Sequence, residues 1–146
     1  MDETAKRQHW MAVLARASQQ EIEALLQQAR PLPTHEVLKA PETGTVMVEG
    51  RAGGAGRRFN LGEATVTRCV VRLESGTMGF SYALGRDAGK ARLAAVTEAL
   101  LQGEGETGPL RRGIAALAAS QQAARELASR KAAATKVDFF TLVRGA

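Results

Sequence analysis

The chain has 146 residues, 24% of them charged, with a formal net charge of +5 and one cysteine. That length suits one domain with a core that needs no covalent staples; Cys69 alone excludes an internal disulfide and leaves three of the four positions of a structural zinc site to other residues, with the histidines, His9 and His35, far apart. The start MDETAKRQHW lacks an apolar signal core, and no later segment approaches the roughly 18 apolar residues of a membrane span, so a reduced, cytoplasmic setting without membrane contact is expected.

The distribution of charge says more than its total. Residues 51–92 carry eight basic and three acidic groups, so this middle segment alone has an excess of five, equal to that of the whole chain. Fifteen of the twenty cations are arginines, whose planar fork suits carboxylates and phosphates. The middle segment calls for an anionic partner.

Residues 4–17 read as a helix with Thr4 as candidate N-cap and Trp10, Leu14 and Ala17 on one face. Ser18 with Glu21 forms a capping box for a second, short helix striped by Ile22, Leu25, Leu26 and Ala29, which ends before PLP at 31–33. The period then changes to two. HEVLKA and TVMVEGR flank PETG, which reads as the turn of a hairpin.

The third predicted strand, ATVTRCVVRL, sets Thr65, Thr67, Cys69, Val71 and Leu73 against Val66, Arg68, Val70 and Arg72. In the fourth, TMGFSYALGR, the large residues Met78, Phe80, Tyr82 and Leu84 alternate with the small Thr77, Gly79, Ser81 and Ala83. The large side reads as core. Asp87 caps a helix to about Leu101, Pro109 sits in the first turn of an alanine-rich helix over about 109–135, and VDFFTLVRG alternates as a terminal strand. The expectation is an α+β fold in one domain: an N-terminal helical hairpin, an antiparallel meander of about four strands covered on one face by helices, two later helices and a C-terminal strand.

RAGGAGRRFNLG, residues 51–62, invites a phosphate-binding reading, but neither the P-loop nor the dinucleotide pattern is present, and the segment runs into a strand instead of a helix N-terminus. A hairpin loop whose Arg51, Arg57 and Arg58 contact an anion or a partner is the reading that remains. Arg68 and Arg72, alternating with valines, mark a sheet face that exposes apolar surface unless a helix or a partner covers it. Phe139 and Phe140, on opposite faces of the terminal strand, are candidate contacts with the sheet or a partner. Cys69 reads as an inert core thiol, Asp87 as a cap and His9 as a packing neighbour of Trp10. No nucleophile, base and orienter assemble from these parts, which favours a binding or assembly protein with no catalytic, cofactor or metal residue of its own. The alternative is a basic-sheet RNA-binding protein stacking bases on Phe80 and Tyr82; their alternation with Met78 and Leu84 argues for core, hence for no nucleic acid.

Taken together, RQHWMAVLARA at 7–17, ETG at 42–44, RAGGAGRRF at 51–59, GEATVTRCVVRLESGTMGFSYALGRD at 62–87 and KVDFFTLVRG at 136–145 resemble the PhnG family, the G subunits of the bacterial carbon-phosphorus lyase system. The resemblance runs nearly end to end, as a single PhnG-like domain over 1–146, although 98–135 carries no matching motif. It implies an accessory role in organic phosphonate catabolism. In that family's complex with subunits H, I and J, and aided by the ATPase-like subunit L, ATP and an alkylphosphonate give ribose 1-alkylphosphonate 5-triphosphate and adenine, the alpha-D-ribose 1-methylphosphonate 5-triphosphate synthase reaction. ATP is thus a substrate of the complex, and the iron-sulfur cluster and S-adenosylmethionine belong to subunit J. The implied role for this chain is to hold or reshape subunit I so that phosphonate, not water, attacks the ribose.

Overall fold

Helix, sheet and helix follow one another along the chain in a computed structural model that describes residues 2–51 and 56–145, with side chains over 2–50 and 56–134. The elements are α1 (Glu3–Arg16), α2 (Gln19–Leu26) with a 3-10 turn at Gln27–Ala29, β1 (His35–Arg51), β2 (Arg58–Leu73), β3 (Met78–Leu84), α3 (Ala88–Gly103) and α4 (Pro109–Gly145). Contacts divide the chain into two compact units, Met1–Ile114 and Ala115–Ala146. The first carries the sheet and α1 to α3, and the second is supplied by α4.

The helical hairpin forms where the spacing predicts it. Asp2, not Thr4, is the N-cap of α1, its carboxylate accepting from Ala5 N at 2.7 Å; the acid one turn ahead of Ala5 is the stronger acceptor for an unpaired helical N–H. Trp10, Leu14 and Ala17 are buried, as are Ile22, Leu25 and Leu26. The Ser18 and Glu21 capping box is complete, with both reciprocal bonds made.

The sheet is antiparallel with order β1-β2-β3, so among the described residues three strands stand where four are expected. PETG is no turn: β1 runs through it, paired to β2 from His35 opposite Leu73 to Arg51 opposite Arg58. Its register shifts between Val37 and Lys39 and again between Lys39 and Glu42, around Pro41. Proline breaks a strand only where its missing N–H is needed, and an edge strand with irregular register tolerates it. β3 pairs with β2 only over Val66–Arg72, so beyond Val66 the other two strands continue as a two-stranded ribbon.

The predicted C-terminal strand is also corrected. The backbone over 137–145 is helical, as the end of α4. No glycine or proline stands between Gly113 and Gly145, and once an alanine-rich nucleus exists each added residue gains a hydrogen bond. A local alternation of side chains is too weak a signal to stop that propagation.

The core of the first unit lies between the sheet and α3, where Cys69 and Val71 of β2 and Ala83 of β3 pack against Ala91, Ala95 and Val96. Asp87 caps α3 through Lys90 N at 3.0 Å. At the far end Glu104 turns its carboxylate onto the first turn of α4, accepting from Leu110 N at 3.1 Å and Arg111 N at 3.0 Å. Arg111 in turn donates to the Leu101 carbonyl and lies over the Trp10 ring at 4.8 Å. This joint ties the start of α4 to the core.

Candidate interaction surface

The side of the sheet that α3 covers is chosen by size. Gly79, Ser81 and Ala83 face the helix: a β-carbon on Gly79 would fall 2.1 Å from the Ala95 carbonyl oxygen, and Ser81 Oγ donates to the Ala91 carbonyl at 2.6 Å. Only small residues permit so close an approach. The large residues Met78, Phe80, Tyr82 and Leu84 are therefore turned to the opposite face, and the expectation that they form the core is reversed. Met78, Phe80 and Leu84 are 40%, 36% and 44% exposed. The alternating small residues of β3, matched by alanines four apart on α3, were the signal in the sequence that could have revealed this.

On that outer face Arg68 pairs across the strands with Tyr82, and Val70 with Phe80. Together with Met11 of α1 and Val46 of β1 they line a groove of about 440 Å³, with Lys39 also at its wall. The groove is mostly apolar. Among the described residues Arg68 makes no ion pair, whereas Arg72 is paired with Glu36, and Lys39 with Glu42 at 3.6 Å. Arg7 lies 5.5 Å from the centroid of the Phe80 ring and donates to the buried Glu98 carboxylate through Nε at 3.1 Å and Nη2 at 2.5 Å. Gln102 holds the second Glu98 oxygen and also donates to the Met78 carbonyl at 2.7 Å.

The glycine-rich stretch connects two strands, as expected of a hairpin. Arg51 and Arg58 are register partners at the end of the ribbon, Arg57 is exposed, and Arg58 meets Glu49 at 3.8 Å. Residues 52–55 lie outside the described residues, as do the side chains of Arg51, Phe139 and Phe140. Arg58 and Arg68 are ten strand residues apart, about 30 Å at the rise of a β-strand. The candidate arginines therefore form two groups, one at the ribbon end and one on the sheet face, and no single phosphate reaches both. The ribbon adds apolar surface of its own: Met47, Phe59 and Leu61 are 56%, 45% and 63% exposed.

Two buried groups stay within the packing. Burial pushes the Cys69 thiol up in pKa against the opposing influence of Arg92, which leaves it protonated and unreactive. Lys90, pushed down by burial, donates to the Ala15 carbonyl at 2.9 Å and so closes the end of α1. Among the described residues no cluster of His, Cys, Asp or Glu is arranged to hold a metal ion, and no helix is long and apolar enough to cross a membrane.

The surface is thus apolar, basic and spread over a sheet face and a ribbon. The family described as "Phosphonate metabolism protein PhnG" matches residues 5–145. The chain belongs to the PhnG family. It is also 42% identical, over 97% of its length and 90% of the relative's, to a Rhizobium meliloti (strain 1021) protein named alpha-D-ribose 1-methylphosphonate 5-triphosphate synthase subunit PhnG. The match includes the motifs at 62–87 that build the outer sheet face.

Proposed function

We propose that this chain is an accessory subunit of an alpha-D-ribose 1-methylphosphonate 5-triphosphate synthase in organic phosphonate catabolism, contributing structure and not catalytic groups. The observation that carries the reading is the 42% identity, over 97% of the chain, to a protein named as a subunit of that synthase. The exposed apolar residues that alternate on one face of β3, Met78, Phe80 and Leu84, support it, since apolar surface gathered on one face marks sites that bind other proteins. Its partners in this reading are the H, I and J subunits and the ATPase-like L subunit, in the cytoplasm. ATP and the alkylphosphonate are substrates of the assembly, and the iron-sulfur and S-adenosylmethionine chemistry belongs to subunit J. The chain acts by holding the I subunit so that phosphonate is positioned and water excluded, both of which lower the barrier to attack on the ribose.

Reconstitution tests this. The purified chain alone is expected to turn over no ATP, and adding it to the I, H and L subunits to give adenine release coupled to a ribosyl-phosphonate signal by phosphorus NMR. ATP cleavage by the isolated chain would overturn the non-catalytic assignment, and full turnover without the chain would overturn the accessory role.

A further inference from the structure

We propose that two copies of this chain join edge to edge along the ribbon, β2 against the β2 of the second copy, in an antiparallel pairing whose two-fold axis passes between Asn60 and Leu61. The proposal concerns the chain by itself and goes beyond the accessory-subunit reading. β2 has β1 along one side over its whole length, whereas β3 pairs with its other side only over Val66–Arg72. On that side Leu73 N donates to the Thr77 carbonyl at 2.8 Å and the Thr65 carbonyl accepts from Gly85 N at 2.9 Å, so the odd-numbered residues of β2 turn their backbone groups toward β3. Glu63 is the next to do so, and among the described residues no strand stands opposite it. The register shift between Val48 and Glu49 leaves Leu61 as an extra residue in β2, which reverses the parity, so Asn60 and Arg58 turn their groups to the same side. An edge open from Arg58 to Glu63 is a template for one more strand.

This edge is complementary to itself. Two-fold pairing about that axis sets Arg58 opposite Glu63 of the second copy and Phe59 opposite its Gly62. The faces agree, as the β1 partners show. Met47 and Glu49 share one face of β1, with Glu63 opposite the first and Arg58 reaching the second at 3.8 Å, while Val48 and Gly50 share the other, opposite Gly62 and Phe59. Opposite charges directly across a strand pair stabilise it, and an aromatic ring laid over a glycine covers backbone that the glycine leaves bare. Glu63 makes no ion pair among the described residues, and the Arg58 fork has donors to spare for a second carboxylate beside its long contact with Glu49. Leu61 lies against Gly50, on the Phe59 face, so the exposed Phe59 and Leu61 of both copies come together as one apolar strip across the axis. Shifting the register by two residues sets Arg58 opposite Leu61 in one direction or Thr65 in the other, and both matches are lost. A self-matching edge is what a two-fold dimer requires, since each contact is made twice by the same patch.

Sedimentation velocity of the purified full chain over a concentration series tests the pairing. The wild type is expected to pass from monomer to dimer as concentration rises. Arg58→Glu and Glu63→Arg each set like charges opposite one another, and each is expected to raise the dimer dissociation constant at least about tenfold. Mixed in equal amounts, the two variants are expected to recover the wild-type constant, because in their heterodimer both opposed positions again carry opposite charges. A role of either residue within its own chain predicts no recovery on mixing. Circular dichroism melts that match the wild type establish folding; if one reversal melts early, Phe59→Ser, which strips the ring from the glycine, takes its place with the same expected rise. A wild type that stays monomeric at every concentration, a dimer that neither reversal weakens, or folded reversals that do not recover on mixing each overturn the pairing. None of these outcomes bears on the accessory role, which reconstitution with the other subunits tests separately.

Discussion

Gly79 of β3 lies so close to the Ala95 carbonyl of α3 that a β-carbon on it would stand 2.1 Å from that oxygen and 2.8 Å from the Ala99 side chain. This contact decides which face of the sheet is core and which is left uncovered by α3. Gly79→Ala must push α3 away from β3, and the first atom it meets is backbone, which does not swing aside. The expected cost is about 1–3 kcal/mol, the usual range for overpacking, read as a lower urea midpoint at unchanged m value. Gly113→Ala, whose added carbon meets only the tip of Leu25, is expected to cost less.

Arg7 and Glu98 form the second relationship to test. Glu98 is fully buried and accepts from both Arg7 and Gln102, while Arg7 remains about one-third exposed. Arg7→Ala leaves a buried carboxylate without its cation and is expected to destabilise the fold by about 3 kcal/mol, toward the low end for a broken buried pair because water reaches the arginine side. Arg7→Met with Glu98→Met together is expected to cost less than Arg7→Ala alone. Thermal denaturation of the three variants decides it.

The buried thiol gives a pH dependence. Burial raises the Cys69 pKa in the folded state, so the unfolded chain loses its proton first, binds fewer protons there, and stability falls as pH rises from about 9 toward the folded value. Lys90, lowered by burial, works in the opposite direction, since the unfolded chain holds its proton longer and stability rises as pH passes the folded value. Cys69→Ala removes only the first effect. The variant is expected to lose less stability than the wild type between about pH 9 and 10, measured by urea titration at each pH. Labelling of Cys69 in the native protein by a thiol reagent is expected to follow unfolding, because the group is both protonated and covered.

At the ribbon end, Arg57→Glu with Arg58→Glu is expected to leave the melting temperature of the isolated chain within a few degrees of wild type. Both side chains are exposed, and the pair of Arg58 with Glu49, at 3.8 Å, is of the surface kind whose contribution is about 0–1 kcal/mol. Assembly with the other subunits is expected to weaken. Assembly that stays complete while ribosyl-phosphonate formation is lost would assign these arginines to substrate instead of to a partner.

What could be read from the sequence and what could not separate along a physical line. The caps of Ser18, Glu21 and Asp87, the stripes of α1 and α2, the two faces of β2 and the start of α4 at Pro109 depend on residues a few positions apart, and the sequence by itself determined them. The motifs over 62–87 likewise carried the family. The continuity of β1 through Pro41 depends on its being an edge strand, and only the pairing with β2 shows that. The helical end of α4 depends on cooperativity across some thirty residues, which a nine-residue alternation cannot reveal. The face presented by Phe80 and Tyr82 was decided by α3: hydrophobicity favours burying the large side of β3, but close packing of a helix requires the small side, and in the tertiary structure the gain from contact of Gly79, Ser81 and Ala83 with an alanine-lined helix won. The aromatic residues were left on the outer face as a consequence, beside Arg68.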